Sequence, residues 1–98
     1  MEYDIEKTET FTLWLQGLRD IRAKARIRAR IERARMGNFG DWVPEGGDIR
    51  AMRIDYGPGY RLYFTIRSKK LVVLLCGGDK GTQESDIKQA HKLAKEIS

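Results

Sequence analysis

Residues 49–76 contain three short segments with the character of β-strands, and this stretch constrains the fold more than any other part of the sequence. Apolar and polar side chains alternate in the first two segments, residues 49–55 and 60–67. This alternation is the period of a strand with one buried face. The third segment, residues 71–76, is a continuous apolar run, as expected for a central strand. Because only short turns separate the segments, the sequence predicts a three-stranded antiparallel meander.

Glycine and proline indicate the first turn and the end of the meander. In the first turn, Tyr56-Gly57-Pro58-Gly59, the proline fixes its own φ and Gly59 can adopt the positive φ that a type II turn requires. The second turn is Ser68-Lys69-Lys70. After the third strand, we expect the glycine-rich segment 77–81 to leave the sheet.

Alternation assigns the side chains of the first two strands to two faces. The face predicted to be buried carries Met52, Ile54, Tyr60, Leu62, Phe64 and Ile66. The face predicted to point outward carries Ala51, Arg53, Asp55, Arg61, Tyr63 and Thr65. Two arginines on neighbouring strands therefore share the outward face.

Two consecutive helices are predicted before the meander. Thr8 or Thr10 can cap the first helix, whose apolar positions are Phe11, Trp14, Leu15 and Leu18. Gly17 and Asp20 indicate a break and a new N-cap, so the second helix, residues 20–36, forms a hairpin with the first. The apolar stripe of the second helix is Ala23, Ile27, Ile31 and Ala34.

The remaining elements complete the predicted fold. Residues 3–7 alternate weakly and predict a first strand that can pair beside the meander, whereas residues 38–48 are expected to form a loop. Thr82 can cap a last helix whose apolar positions are Ile87, Ala90, Ala94 and Ile97. The predicted order is β-α-α-β-β-β-α. This is an α+β fold with an antiparallel sheet of three to four strands, an N-terminal helical hairpin and a C-terminal helix, in a single domain spanning residues 1–98.

Composition excludes several classes of protein. The 98 residues are 41% hydrophobic and 34% charged, which suits a globular domain and argues against disorder. No apolar run approaches the roughly 20 residues of a membrane span, and residues 1–10 lack the apolar core of a secretory signal. We therefore expect no membrane association and a location in the cytoplasm. One cysteine, Cys76, and one histidine, His91, lie far apart, so no metal site or cofactor is expected. Cys76 is interpreted as structural and His91 as structural or solvated rather than catalytic, although histidine is the side chain whose ordinary pKa is closest to neutral pH.

Positive charge is concentrated on the second helix. The formal net charge is +5, and eight of the seventeen residues from Arg19 to Arg35 are Lys or Arg. The residues assigned to nucleic-acid binding are Arg22, Arg26, Arg30, Arg33, Arg50 and Tyr56. Two interpretations of the helix remain open, a solvated face and a surface for a polyanion or an acidic protein segment. Phe39 and Trp42 in the loop are interpreted as anchors that hold it to the core.

Three cations are the candidates for chemistry. Arg53 and Arg61 share the outward face of the sheet, and Lys80 follows the next strand. Such a group can bind a phosphate and stabilise the charge of a phosphorane. Neither Arg61 nor Lys80 readily accepts a proton at neutral pH. Cleavage of RNA by its 2′-hydroxyl would therefore need an activated lysine or help from the machinery that holds the substrate.

The order of elements and two strings resemble a known toxin family. Residues 52–64 read MRIDYGPGYRLYF and residues 74–80 read LLCGGDK. They resemble the HigB-type addiction module killer proteins, a branch of the RelE/ParE toxin superfamily. The resemblance covers nearly the whole chain, from the Phe11 helix to the helix at residues 88–94.

The resemblance implies a toxin that cuts mRNA in the ribosomal A site and is neutralised by a cognate helix-turn-helix antitoxin. It places Arg61 at the superfamily arginine that faces the scissile phosphate, Arg53 among basic residues of the preceding strand, and Lys80 at a basic residue after the last strand. The chain departs from RelE-like members in two respects. It lacks their additional lysines on the second strand and a C-terminal tyrosine that stacks on the base.

Two other functions are compatible with the same sequence. A ParE-like poison of DNA gyrase would depend on the helical hairpin and would need no catalytic residues. A non-toxic, basic nucleic-acid-binding module is the third interpretation. Arg61 and Lys80 discriminate between catalysis and gyrase poisoning, because catalysis requires both side chains. Harmless expression of the protein would favour the third interpretation.

Overall fold

The computed structural model describes residues 2–97. Its strands are β1 (Asp4–Lys7), β2 (Trp42–Pro44), β3 (Arg50–Ile54), β4 (Tyr60–Arg67) and β5 (Leu71–Asp79). Its helices are α1 (Glu9–Gly17), α2 (Ile21–Arg35) and α3 (Gln83–Glu96). A single 3₁₀ turn, Lys80–Thr82, joins β5 to α3.

The strands form one sheet in the order β1-β5-β4-β3-β2. The predicted meander of β3, β4 and β5 is confirmed, because these strands pair antiparallel with their neighbours in the chain. β1 pairs beside the meander, as expected, but it runs parallel to β5 rather than antiparallel. The α+β fold class is therefore confirmed, with one more strand than the three to four expected.

The predicted helical hairpin is confirmed and covers one face of the sheet. Thr8 Oγ1 caps α1 by accepting a hydrogen bond from Phe11 N, at 3.0 Å. Asp20 Oδ1 caps α2 by accepting hydrogen bonds from Arg22 N and Ala23 N, at 2.9 and 3.2 Å. The core on this face contains Phe11, Leu15 and the predicted stripe of α2, packed against apolar side chains of β3, β4 and β5. Burial of these two amphipathic faces fixes the hairpin on the sheet.

The opposite face of the sheet is partly covered by α3, and this corrects the prediction for β4. Tyr63 and Thr65 were expected to point outward, but both are fully buried in or beside a second core. This core packs Ala90 and Ala94 of α3 against Ile49, Ala51, Tyr63, Val73, Leu75 and Cys76. The small side chains of the two alanines let the helix approach the sheet closely. Ile97, assigned to the helix from its spacing, lies just beyond it and is exposed.

The segment expected to be a loop contains β2, and this is a second correction. Its residues Trp42–Pro44 pair with Arg50–Met52 and add an edge strand to the sheet. Phe39 is an anchor as predicted, since its ring stacks on Phe64 with centroids 5.3 Å apart. Trp42 is not an anchor, because it is exposed and lies under the guanidinium of Arg50 at 5.1 Å from the ring centroid.

β5 is longer than predicted, since Gly77, Gly78 and Asp79 continue to pair with β4 instead of leaving the sheet. A Cβ at position 77 would overlap the ring of Trp14, so glycine is what lets α1 pack onto this part of the strand. The turn before β4 also differs from the expected type. Gly59 N donates a hydrogen bond to Tyr56 O, so the central residues of the turn are Gly57 and Pro58. Gly57 has a positive φ, as does Gly59 at the end of the turn.

Candidate active site

A pocket of about 330 Å³ opens on the part of the sheet that α3 leaves uncovered, and no α3 residue lines it. Its walls are formed by Asp41, Arg53, Ile54, Asp55, Gly59, Tyr60, Arg61 and Lys80. The structure therefore brings together the three cations that the sequence singled out for chemistry. A concave site with several convergent charges is the usual form of a binding site for a small charged group.

Strand pairing places the three cations. Arg53 on β3 and Arg61 on β4 are direct partners in the register, so their side chains rise on the same face of the sheet. Lys80 follows β5, and its backbone N donates to Gly59 O at 3.2 Å. A Cβ at Gly59 would lie 3.0 Å from Lys80 Cε, so the missing side chain makes room for the lysine at the pocket.

The three cations differ in their partners. Arg53 donates to Asp41 Oδ1 from Nη2 at 2.8 Å and from Nε at 3.2 Å. Within residues 2–97, Arg61 and Lys80 form no ion pair. Arg61 Nε is also buried without a hydrogen-bond acceptor. An anion in the pocket would meet one arginine that is partly neutralised by Asp41 and two cations that form no ion pair among the described residues.

Asp41 was not identified from the sequence. The hydrogen bond from Arg53 is the largest cause that lowers the pKa of the Asp41 carboxyl, and the same bond raises the pKa of Arg53. Asp41 lies in a loop twelve positions before Arg53, and no local pattern marks it. The one signal that could have singled out Asp41 is its position next to Trp42 in a glycine-rich loop.

A second cavity of about 280 Å³ lies beside the pocket and against α2. It shares Ile54 and Asp55 with the pocket and is otherwise lined by Arg26, Ala29, Arg30 and Arg33. The Arg26 guanidinium lies over the Tyr56 ring, 4.6 Å from its centroid, in a cation–π contact. Two of the helix arginines assigned to nucleic-acid binding, Arg26 and Arg33, are thus exposed beside the pocket.

Three other residues assigned to nucleic-acid binding have different surroundings. Arg22 is exposed near the start of α2 and lines neither cavity. Arg50 also lines neither cavity and is stacked on Trp42. Arg30 is half-buried, and its guanidinium donates to backbone carbonyls of the loop before β2 and of β3. The sequence did not indicate that this member of the arginine run has a different environment from its neighbours.

Metal and thiol chemistry find no support in the part of the chain that is described. No group of three or more His, Cys, Asp or Glu side chains is arranged there to hold a metal ion. Burial raises the pKa of Cys76 to about 12, so its thiol is not a nucleophile at neutral pH. His91 Nε2 contacts Glu45 O at 3.1 Å and does not line the pocket. Among the described helices, none is long and apolar enough to cross a membrane.

Comparison with known proteins agrees with the fold. No family model matches the sequence. An uncharacterized protein of Haemophilus influenzae is 52% identical over 97 residues, which cover 99% of this chain and 98% of that protein. A solved structure of a mutant of the E. coli toxin RelE in the free state matches with a TM-score of 0.74, 15% sequence identity and coverage of 100% of both chains. The chain therefore belongs to the same family as the Haemophilus influenzae protein, and it has the RelE fold.

Proposed function

We propose that this protein is the toxin of a type II toxin–antitoxin system, of the HigB-type branch, and that it cleaves mRNA on the ribosome in the cytoplasm. The observation that carries the proposal is the convergence of Arg53, Arg61 and Lys80 on one pocket of a RelE fold. Cations gathered in this way suit a phosphodiester whose charge increases during cleavage. The resemblance of residues 52–64, which include Arg53 and Arg61, to HigB-type toxins also supports the proposal.

The reaction is an intramolecular transesterification of the RNA. The 2′-oxygen of the RNA forms a bond to phosphorus, and the bond from phosphorus to the 5′-oxygen breaks. The products are a 2′,3′-cyclic phosphate and a 5′-hydroxyl. Arg61 and Lys80 stabilise the pentavalent intermediate, and Arg53 holds a non-bridging oxygen.

Two protons must move during this reaction. The 2′-hydroxyl loses one, and the pocket offers the carboxylates of Asp41 and Asp55 as acceptors. Asp41 Oδ1 already accepts two hydrogen bonds from Arg53, so we assign the acceptor role to Asp55. The leaving 5′-oxygen gains a proton from Lys80 or from water, and the ribosome supplies the alignment of the mRNA.

The second cavity extends the surface available to the RNA. A phosphate next to the scissile one can contact Arg26 or Arg33, which line this cavity together with the shared residues Ile54 and Asp55. Arg26 is exposed and lies over the Tyr56 ring, so a base can stack on the guanidinium plane of this pair. These contacts bind RNA without reading its sequence.

The partner that silences the toxin is a helix-turn-helix antitoxin with an acidic segment. Arg53 already binds one carboxylate, that of Asp41, and acidic side chains of such a segment would pair with Arg61 and Lys80 in the same manner. An acidic chain over these two cations would also block the access of RNA to the pocket.

The decisive experiment is a brief induction of the protein in bacteria without its antitoxin, followed by mapping of RNA 5′ ends. We expect growth arrest and new 5′-hydroxyl ends within translated regions. In a cell-free translation extract, the purified protein should produce the same ends, and an inhibitor that keeps ribosomes off the mRNA should prevent them. Normal growth with soluble protein in the cell would refute the toxin proposal.

A second candidate function is favoured by a separate observation. The helical hairpin exposes two large apolar side chains, Leu13 at 59% and Ile21 at 81%. A gyrase poison of the ParE type would act through such a surface. Growth arrest without new RNA ends, together with inhibition of supercoiling by purified gyrase, would select this alternative.

A further inference from the structure

Arg30 differs from the other arginines of α2 in what its guanidinium contacts. Nη2 donates to Phe39 O at 2.9 Å and to Asp41 O at 3.1 Å, and Nη1 donates to Arg53 O. The contacts join the loop before β2 to β3 through a single side chain. Arg30 is half-buried, whereas its charged neighbours on the helix are exposed.

The loop is shaped to receive this guanidinium. Gly40 has a φ of +63°, and a Cβ there would lie 2.9 Å from Arg30 Nη2. Glycine therefore allows the carbonyls of Phe39 and Asp41 to converge on one nitrogen. Gly40 N donates to Asn38 Oδ1 at 3.0 Å, which holds the start of the bend.

The same loop carries the partner of a pocket cation. Arg53 N donates to Asp41 O at 2.8 Å, and the Arg53 side chain donates to Asp41 Oδ1. Arg30 thus binds the backbone of both members of the Asp41–Arg53 pair. An exposed ion pair between flexible side chains is weak by itself, because ordering the two side chains costs conformational entropy. When both backbones are held in place, less entropy is lost on forming the pair.

We propose that Arg30 is a positioning residue that fixes Asp41 and Arg53 relative to each other, so that the Arg53 guanidinium is presented to an anion in the pocket. The inference rests on the proposed function only for its effect on RNA cleavage. The arrangement of Arg53 and the affinity of the pocket for an anion can be measured without that function. A side chain on α2 would then control the pocket although it does not reach the bound anion.

The test compares Arg30→Met, Arg30→Lys and Asp41→Asn with a matched control, Arg28→Met. Arg28 is exposed on the same helix and lines neither the pocket nor the cavity beside it, so Arg28→Met removes the same charge without touching the loop. Arg30→Lys keeps the charge but cannot reach three carbonyls with one planar group. The probe is inorganic phosphate, titrated against the full chain and followed by NMR at the backbone amides of residues 53 and 61.

Three readouts are expected to move together. Exchange of the Arg53 Nε proton with water should accelerate about tenfold in both Arg30 variants, because its acceptor is no longer held. Phosphate affinity should fall about three- to tenfold in both variants and not in Arg28→Met. RNA cleavage should fall roughly 10- to 100-fold, as for other small misplacements of a reacting group.

A double-mutant cycle separates positioning from simple stabilisation. In an Asp41→Asn background, Arg30→Met should change phosphate affinity by less than about twofold, because the pair that Arg30 positions is already broken. If the Arg30 variants lower the melting temperature but leave Arg53 proton exchange and phosphate affinity as in Arg28→Met, Arg30 only holds the fold and the inference is wrong. If these two readouts respond as expected while the parent chain cleaves no RNA, the positioning role stands and the proposed function fails. Should Arg30→Met not fold, Arg30→Lys decides the question.

Discussion

Replacing Arg61 with alanine is the most direct test that the pocket is the site of RNA cleavage. The side chain lines the pocket and makes few contacts that stabilise the fold. Arg61 is paired in register with Arg53 on one side and Gly78 on the other. Within the described residues it forms no ion pair, and its Nε lacks an acceptor. Loss of one donor that stabilises a transition state costs about 3 to 4 kcal/mol, or a 100- to 1000-fold lower rate.

The same substitution should affect stability much less. Arg61 faces a like charge on the neighbouring strand, and relief of such a pair gains roughly 0.2 to 1 kcal/mol. Loss of the half-buried methylenes of the side chain costs a similar amount, about 0.8 kcal/mol for each CH₂ that was fully buried. The two effects offset each other to within about 1 kcal/mol, so the melting temperature should shift by no more than about 4 to 8 °C.

The assay is primer extension on ribosomes programmed with a defined mRNA, with the variants matched for concentration and checked by circular dichroism. Arg28→Ala on α2 is the control for loss of one positive charge. Arg61→Lys should recover only part of the rate, since a point charge cannot form two parallel hydrogen bonds with a phosphate. If folded Arg61→Ala cuts within about threefold of the parent rate, the pocket is not the site of cleavage.

Three further predictions concern other parts of the molecule. Lys80→Ala should lower the rate of RNA cleavage about 100-fold. Its melting temperature should stay close to that of the parent, because the side chain is exposed and has no ion pair among the described residues. Toxicity equal to that of the parent on induction would contradict this role. Gly77→Ala should lower the free energy of unfolding measured by urea titration by about 1 to 3 kcal/mol, since its methyl group would overlap Trp14. An unchanged urea midpoint would show that α1 packs elsewhere. Burial raises the pKa of Cys76 from 9.0 to about 12, so the folded state holds a proton that the unfolded state loses as pH rises above about 9. The urea midpoint should therefore fall between pH 8 and pH 11, less so in Cys76→Ala, and an equal fall in both chains would assign the loss to other groups.

The helices and the meander could be predicted because each contains its own periodicity. The stripe on α2 that begins at Ala23 and ends at Ala34 is buried at each predicted position, since a helix with one apolar face must bury that face. Thr8 and Asp20 were identified as caps for a similarly local reason, because a cap bonds to backbone only two or three residues away. Such features need no knowledge of the partner element.

The parts that could not be predicted depend on contacts between distant segments. β2 has three residues and ends in Pro44, so it has no periodicity to detect, and its pairing is determined by β3 beside it. The pairing of Asp41 with Arg53 is non-local in the same way, because it forms only after the chain has turned from β2 into β3. Arg30 belongs to a run of like residues, and only the position of the loop gives it a different environment.

The location of the pocket follows from how α3 divides one face of β4. Arg61, Tyr63 and Thr65 occupy alternate positions of that strand and were expected to be equivalent. α3 begins after the 3₁₀ turn and passes over the second half of the strand, where its small side chains Ala90 and Ala94 allow close packing. The hydroxyl-bearing side chains there are buried, whereas Arg61 remains at the edge of the covered region and borders the pocket. A charged side chain at the position of Tyr63 or Thr65 would be buried without a partner, at a large cost, so the cationic site can exist only at the end of the strand that α3 leaves open.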